Sequence, residues 1–339
     1  MGTVNEGNPG IRDVARAAGV SPGTVSNVLN RPERVAATTR QRVEQAITEL
    51  GFVRNGSAST LRAGRSRTIG LAVLDVGNPF FTELARGVEE AVSDRDHAVI
   101  LCDSAESCDK ETRNLRVLAE QRVRGVLITP VDEQMRHLGR LRDRGVAVVL
   151  LDHSAPGPDQ CSVAVDDEAG GALAVGHLLD GGAARIAYVS GPLTLRQCTE
   201  RRRGARRALK AAGRPVHELA EVIVPEMNAT GGATAAARIL DGGLPDAIFC
   251  ANDLLALGVL RTLLQAGVRV PRDVALIGYD DIEFTAASAV PLSSIRQPTR
   301  QLGRIATELL LEECDTPATH AHQQVMFQPE LVARESTGR

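Results

Sequence analysis

The chain has 339 residues, 43% of them hydrophobic, so it can bury more than one core, and two or three domains are expected. Its opening, MGTVNEGNPG, lacks the basic and apolar regions of a signal peptide. No later apolar run reaches about 18 residues without a charge, so neither export nor membrane insertion is supported and a cytoplasmic protein is expected. Cys102, Cys108, Cys161, Cys198, Cys250 and Cys314 are scattered, with no C-x-x-C pair and no histidine cluster at metal spacing. Reduced thiols and no metal site follow.

The net charge of -3 conceals a segregation. Between Ile11 and Arg67 there are ten arginines against Asp13, Glu33, Glu44 and Glu49, a local charge of +6, whereas Thr68–Arg339 carries -8. A basic head on an acidic body is the footprint of a nucleic-acid arm attached to something else. Lys110 and Lys210 are the only lysines, so a general preference for arginine explains the residue type but not its placement.

In the head, IRDVARAAGV sets Ile11, Val14, Ala15 and Ala18 at helical spacing, and Gly19 can supply the positive φ that ends a helix. Ser21 then suits an N-cap and Pro22 a first helical position, with Val25, Val28 and Leu29 as the buried stripe. TTRQRVEQAITELGF gives a third helix, capped by Thr38 or Thr39 and turning Val43, Ala46, Ile47 and Leu50 inward. Three short helices with a glycine turn between the first two make a helix-turn-helix. Asn55–Arg62 is too short for a stable helix by itself in water and reads as a hinge that orders on DNA.

From Thr68 onward, TIGLAVLD, HAVILCD, GVLITPV, AVVLLD, RIAYVSG, EVIVP, AIFCAND and VALIGYDD alternate with amphipathic stretches. This pattern predicts parallel sheets covered by helices on both faces. The body is too long for one sheet and divides near Asp166. Ligands of such sheets sit beyond the carboxyl ends of strands, where Asp75, Asn78, Asp103, Asp132, Asp152, Asn252, Asp253, Asp280 and Asp281 collect. Each of these taken singly also reads as a helix cap or turn residue. Phe80-Phe81 stands in the loop after the first strand of a chain with 2% aromatic residues, and could offer an apolar face to a sugar-like ring. His137, His153, His177, His320 and His322 have no evident partner. There is no G-x-S-x-G elbow, phosphate-cradling loop or metal histidine pair, so neither an enzyme nor a cofactor is expected.

VSPGTVSNVLN, the hinge segment ending Leu61-Arg62, NPFF at 78–81, RRRG at 201–204, AND at 251–253, GYDD at 278–281, PLSSIRQP at 291–298 and the terminal QPELVARES occur in order. Together they closely resemble the lactose-repressor (LacI/GalR) family over the whole chain. The resemblance implies a small all-α helix-turn-helix head on an α/β body, two-lobed like periplasmic binding proteins. It implies residues 1–10 as a disordered N-terminus, 11–52 as the DNA-binding domain and 53–67 as hinge and linker. The body, 68–339, would comprise one lobe of 68–164 with 299–326 and a second of 165–296 with 327–339.

It further implies a homodimer on palindromic operator DNA. Ser21, Thr24 and Asn30 would approach phosphates with Arg34 nearby, and Pro22, Gly23 and Asn27 would occupy base-reading positions. Proline and glycine have no side-chain donor or acceptor, which leaves Asn27 as the main direct reader from that helix. Leu61 matches a minor-groove wedge, with Asn55, Ala58 and Arg62 beside it; the alternative is a core leucine capping the first strand. Arg54 stands where relatives often carry proline.

In the body the resemblance implies an effector clamp of Asn78, Phe80, Phe81, Asp132, Asp152, Arg201, Asn252, Asp280 and Gln297. Arg201 would donate to ligand hydroxyls and Asp280 would accept from neighbouring ones. Glu226, Met227 and Asn228 replace a second stacking aromatic, so a nucleoside, polyol or other polar metabolite stands beside a carbohydrate as effector. The expected function is a ligand-controlled repressor. No leucine-heptad tail follows QPELVARES, so a dimer is favoured over a tetramer.

Overall fold

The structure, a computed structural model, describes residues 9–52, 66–93, 95–131 and 135–338. The expected disordered start through residue 8, the hinge positions Asn55, Ala58, Leu61 and Arg62, and Asp132 lie outside the described residues. The chain forms two compact units, Met1–Arg65 and Ser66–Arg339.

The first unit holds α1 (Ile11–Ala18), α2 (Pro22–Asn30) and α3 (Ala37–Leu50), with a single 3-10 turn at Pro32–Arg34. Val14, Ala15, Ala18, Val25, Val28, Val43 and Ala46 make its core. Gly19, at φ 63°, ends α1 by returning its N–H to the carbonyls of Ala15 and Arg16. The Ser21 side chain then accepts the Thr24 N–H at 3.1 Å to open α2. Two expectations are corrected for α3. Its N-cap is Ala36, so Thr38 and Thr39 lie inside the first turn. Leu50 is 38% exposed, because Gly51 reverses the chain and only Phe52 folds back onto the core.

The second unit contains two six-stranded sheets. In chain order the strands are β1 (Thr68–Val73), β2 (Ala98–Asp103), β3 (Gly125–Ile128), β4 (Ala147–Leu151), β5 (Ser162–Val165), β6 (Ile186–Ser190), β7 (Leu219–Ile223), β8 (Ala247–Cys250), β9 (Ala275–Asp280), β10 (Ser293–Arg296), β11 (Gln324–Phe327) and β12 (Glu330–Val332). The first sheet has the order β11-β5-β4-β3-β1-β2 and is parallel throughout. The second has the order β12-β10-β9-β8-β6-β7, with only β12 antiparallel. The chain therefore crosses between the lobes three times, after β5, after β10 and after β11. Asp166 N–H donates to Phe327 O at 2.9 Å and joins the first and third crossings.

Helices on both faces bury the apolar inner strands, as parallel sheets require, whereas the edge strand β2 has no buried residue. Helices Asp167–Asp180 and Arg196–Ala211 touch through glycines. A Cβ on Gly171 would lie 2.0 Å from the Arg201 carbonyl oxygen, and one on Gly204 would lie 2.0 Å from that of Glu168. Backbone approach this close admits no side chain, and it sets Arg201 against Asp167.

Candidate functional site

A cleft lies at the carboxyl ends of the strands, where the two sheets face each other. Asn78, Phe80, Phe81, Asp152, Arg201, Asn252 and Asp280 all line it. Arg201 is its hub and is 3% exposed. Its Nε donates to Asp167 Oδ1 at 2.8 Å and its Nη1 to Ala251 O at 2.6 Å, while Asp280 Oδ1 stands 3.7 Å away. The guanidinium carbon lies 3.7 Å from the centre of the Tyr279 ring, a cation–π contact inside a dry site. Protein groups thus already fix the Nε and Nη1 side of Arg201, and the residue still lines the cleft.

Asp280 accepts Gln297 Nε2 at 2.8 Å. Burial raises its carboxyl to about 6, against the lowering effects of Arg201, Gln297 and the Asn78 amide from the opposite lobe. Burial and then the charge of Asp167 push Asp152 well above the usual carboxylate range. Burial likewise lifts Glu106 to about 6, helped by Asp75 and Asp103. Desolvation opposes the charge of Arg201, but Asp167, Tyr279, Asp280 and Asp152 together hold it well above its ordinary value. Asp152 at φ 53° and Asp280 at φ 108° occupy backbone regions that cost a non-glycine residue of order 1–3 kcal/mol, a cost that clusters at binding sites.

Several positions behave differently from the sequence reading. Phe80 and Phe81 are not in a loop. They form the first turn of helix Pro79–Ser93, pack edge to face at 5.0 Å and belong to the core of the first lobe, while also walling the cleft. Asn252 caps its helix, Oδ1 accepting Leu255 N–H at 2.8 Å, and its Nδ2 donates to Met227 O at 2.9 Å. Gln297 stands behind Asp280, on the second crossing between lobes. Met227 lines the cleft where relatives were expected to place an aromatic. Asp281 turns away from its neighbour to pair with Arg296 and Arg334.

Sequence reasoning missed Asp167, Glu106 and Gln197. Asp167 had a signal, because it follows the strand SVAV as the other acids follow theirs. Glu106 lies three residues beyond β2, and Gln197 on a helix carries no such mark. Four of the five histidines singled out from the sequence gain partners: His153 Nδ1 lies 2.8 Å from Ser154 O, His177 Nε2 2.7 Å from Thr337 Oγ1, and His320 and His322 both reach Cys161.

The cavity itself is small, about 20 Å³, room for roughly one water. A larger one of about 500 Å³ adjoins His153, Ser154, Arg196 and Glu200. There Arg196 Nη1 donates to Ser154 O at 3.2 Å and bridges the lobes.

In the first unit, Ser21 Oγ also pairs with Thr24 Oγ1 at 2.9 Å, and Asn30 Nδ2 donates to Ser26 O at 2.7 Å, so three polar side chains of α2 serve the helix itself. Pro22, Gly23 and Asn27 are exposed on α2, and exposed Arg34 lies 4.0 Å from Glu33. A Cβ on Gly23 would meet only Ser21 Oγ, at an ordinary 3.6 Å, so packing does not demand glycine there.

A helix-turn-helix unit on a two-lobed, binding-protein-like body defines a ligand-responsive DNA-binding regulator. Residues 10–55 match the model of bacterial regulatory proteins of the lacI family, and 175–337 that of a periplasmic binding protein-like domain. The chain is 36% identical to the ribose operon repressor of Escherichia coli K12, over 96% of this chain and 99% of that one. It is also 36% identical to the transcriptional repressor PurR of Photobacterium profundum, over 96% and 98%. It superposes on a lac repressor dimer bound to operator and the anti-inducer ONPF with a TM-score of 0.84, at 29% identity, covering 98% and 100%. A LacI family regulator from Enterococcus faecium with bound ribose matches with a TM-score of 0.72, at 30% identity, covering 80% and 98%. The chain belongs to the LacI family of bacterial regulatory proteins, and its relatives are transcriptional repressors, not enzymes.

Proposed function

We propose that this protein is a homodimeric repressor whose hold on a palindromic operator is set by a neutral, hydroxyl-rich small molecule, a pentose such as ribose, bound between the two lobes of the body. The observation that carries this reading is the excess of buried acid around one guanidinium. Asp152, Asp167 and Asp280 surround Arg201, with Glu106 nearby, and burial has raised three of the four carboxyls. A ligand that donates hydroxyl hydrogens relieves these carboxylates, whereas a phosphorylated sugar adds like charge to a dry site.

A ligand held by Asn78 and Asp152 of one lobe and by Arg201 and Asp280 of the other favours one lobe orientation. Gln297 lies on the second crossing and Asp167 just after the first, so contacts at the site reach the segments that must flex. This is coupling by hinge closure. The head at 11–52 would read DNA, Asn27 directly, while Ser21, Thr24, Asn30 and Arg34 lie along the backbone. Pro22 and Gly23 mainly start the helix. The hinge at 53–67 would place Asn55, Ala58, Leu61 and Arg62 in the minor groove, with Leu61 as wedge. No helix among the described residues is long and apolar enough to cross a membrane, and a regulator of this kind works in the cytoplasm on the nucleoid.

The test is thermal unfolding of the full chain with ribose, other neutral sugars, purine bases and ribose 5-phosphate, followed by operator titration with any stabiliser. Ligand at 100 times its Kd stabilises by about 2.7 kcal/mol, which a melting curve resolves. Stabilisation by a neutral sugar with altered operator affinity is expected. Stabilisation by the phosphorylated sugar alone would overturn the charge argument.

A further inference from the structure

Cys161, Glu313, His320 and His322 come from three separate parts of the first lobe: the residue before β5, the end of helix Thr299–Asp315, and the segment entering β11. One ligating atom from each lies within 4.8 Å of every other. Cys161 Sγ is 3.1 Å from His320 Nε2 and 3.7 Å from His322 Nδ1. We propose that these four side chains form a structural zinc site, with Cys161 Sγ, His320 Nε2, His322 Nδ1 and a Glu313 oxygen as the tetrahedral ligands.

Donor chemistry agrees, and the two sulfur–nitrogen distances lie near those of a tetrahedral site. Thiolate, imidazole and carboxylate are the ligands zinc takes, and bonds of about 2.0–2.3 Å at tetrahedral angles put ligand atoms roughly 3.3–3.7 Å apart. One buried polar atom supports the assignment independently, since Glu313 Oε2 has no hydrogen-bond partner. Such atoms are costly to bury unless something answers them. A cation between the four side chains would answer Glu313. His320 Nδ1 faces away from the cluster, 3.9 Å from Glu312 Oε1, a gap that has to close before that carboxylate orients the imidazole.

The site would tie the turn after the long helix to the sheet edge. Ser162 N–H donates to Gln323 O at 3.0 Å and Gln323 N–H points to Cys161 Sγ at 3.3 Å, so β5 and β11 begin at the ligands. β11 then leads directly into the third crossing. Four protein ligands leave no open position, which makes the role structural and not catalytic. Exposed His322 provides the way in.

The full-length protein, stripped with chelator, should take up one Co²⁺ per chain. Thiolate-to-cobalt charge-transfer absorption and the intense visible bands of tetrahedral cobalt should appear together, and one equivalent of Zn²⁺ should bleach both and raise Tm. Cys161→Ser should abolish the charge-transfer band, whereas Cys102→Ser should keep it. Because Cys161 is buried, His322→Gln at an exposed position serves as the second variant; it should fold and lose affinity by at least tenfold. Weak octahedral spectra, a charge-transfer band that survives Cys161→Ser, or unchanged affinity in His322→Gln would each overturn the site.

Discussion

Arg201 and Asp167 face each other from two helices whose backbones touch, Nε to Oδ1 at 2.8 Å, with both side chains almost wholly buried. A pair in this position is costly to break, because the remaining charge cannot return to water. Arg201→Met leaves Asp167 and Asp280 without their cation and is expected to destabilise the body by about 3–5 kcal/mol in urea unfolding. Arg201→Met with Asp167→Leu should recover most of that loss while ligand binding stays absent. Equal instability of single and double variants would place the cost in packing, not in charge.

The contact between the same two helices yields a second expectation. A methyl at Gly204 would lie 2.0 Å from the Glu168 carbonyl oxygen, so Gly204→Ala forces the helices apart and should cost about 1–3 kcal/mol. Gly176, on the same helix as Glu168, has nothing within 4 Å of such a methyl. Gly176→Ala should therefore stabilise by roughly 0.5–1 kcal/mol, through backbone entropy alone. Parallel melting curves on the two variants check the opposite signs.

On α2 the division of labour is testable by substitution. Ser21→Ala removes the cap and should cost about 1 kcal/mol of head stability. Gly23→Ala meets only an ordinary contact and should leave stability near wild type. Asn27→Ala should leave stability unchanged but cost about 1–3 kcal/mol of specific binding, relaxing preference at a single position of each half-site. Fluorescence anisotropy on operator and scrambled duplexes separates these effects, and equal losses on both duplexes would make Asn27 a backbone contact.

Asp280, raised to about 6 from an ordinary 3.8, should leave a signature in pH. Between those values the folded chain holds a proton that the unfolded chain has released, so the contribution of this carboxyl to stability falls as pH rises from about 4 to about 6, then levels. Asp280→Asn should flatten that part of the profile by up to about 3 kcal/mol, leaving the similar contribution of Glu106 in place. Hydroxyl-donating ligands meet an ionised acceptor only above that window, so their binding should strengthen from pH 5 to pH 7. Denaturant midpoints and ligand titrations across the range check both slopes.

The eight apolar runs read from the sequence became β1–β4 and β6–β9; six are inner strands, which need continuous hydrophobic residues because both faces are covered, while β2 and β7 are apolar strands at the sheet edges. The acids at their ends were legible for the same reason: the loops beyond those strands are where a polar side chain meets solvent or ligand. The strands β5 (SVAV), β10 (SSIR), β11 (QVMF) and β12 (ELV) escaped, since each opens on a polar residue and has too few apolar ones to stand out, whereas the equally short β3 (GVLI) and β8 (AIFC) are apolar throughout. They are also the segments that flank the three crossings, so the interweaving of the lobes was decided by pairing and not by local propensity.

By itself the sequence determined the helix-turn-helix, the parallel strand-helix body and the residue types that gather around Arg201, because capping, turn chemistry and apolar periodicity act over a few residues. Tertiary structure decided what those residues do. Arg201 is held by Asp167 and Ala251, Asn252 is spent on a helix cap, and Phe80 and Phe81 belong to a core as much as to a cleft. Cys161, Glu313, His320 and His322, spread over more than 150 residues of chain, meet at one sheet edge. Local rules carry no information about such distances; only the closing of the sheet, with β11 laid against β5, sets these atoms side by side.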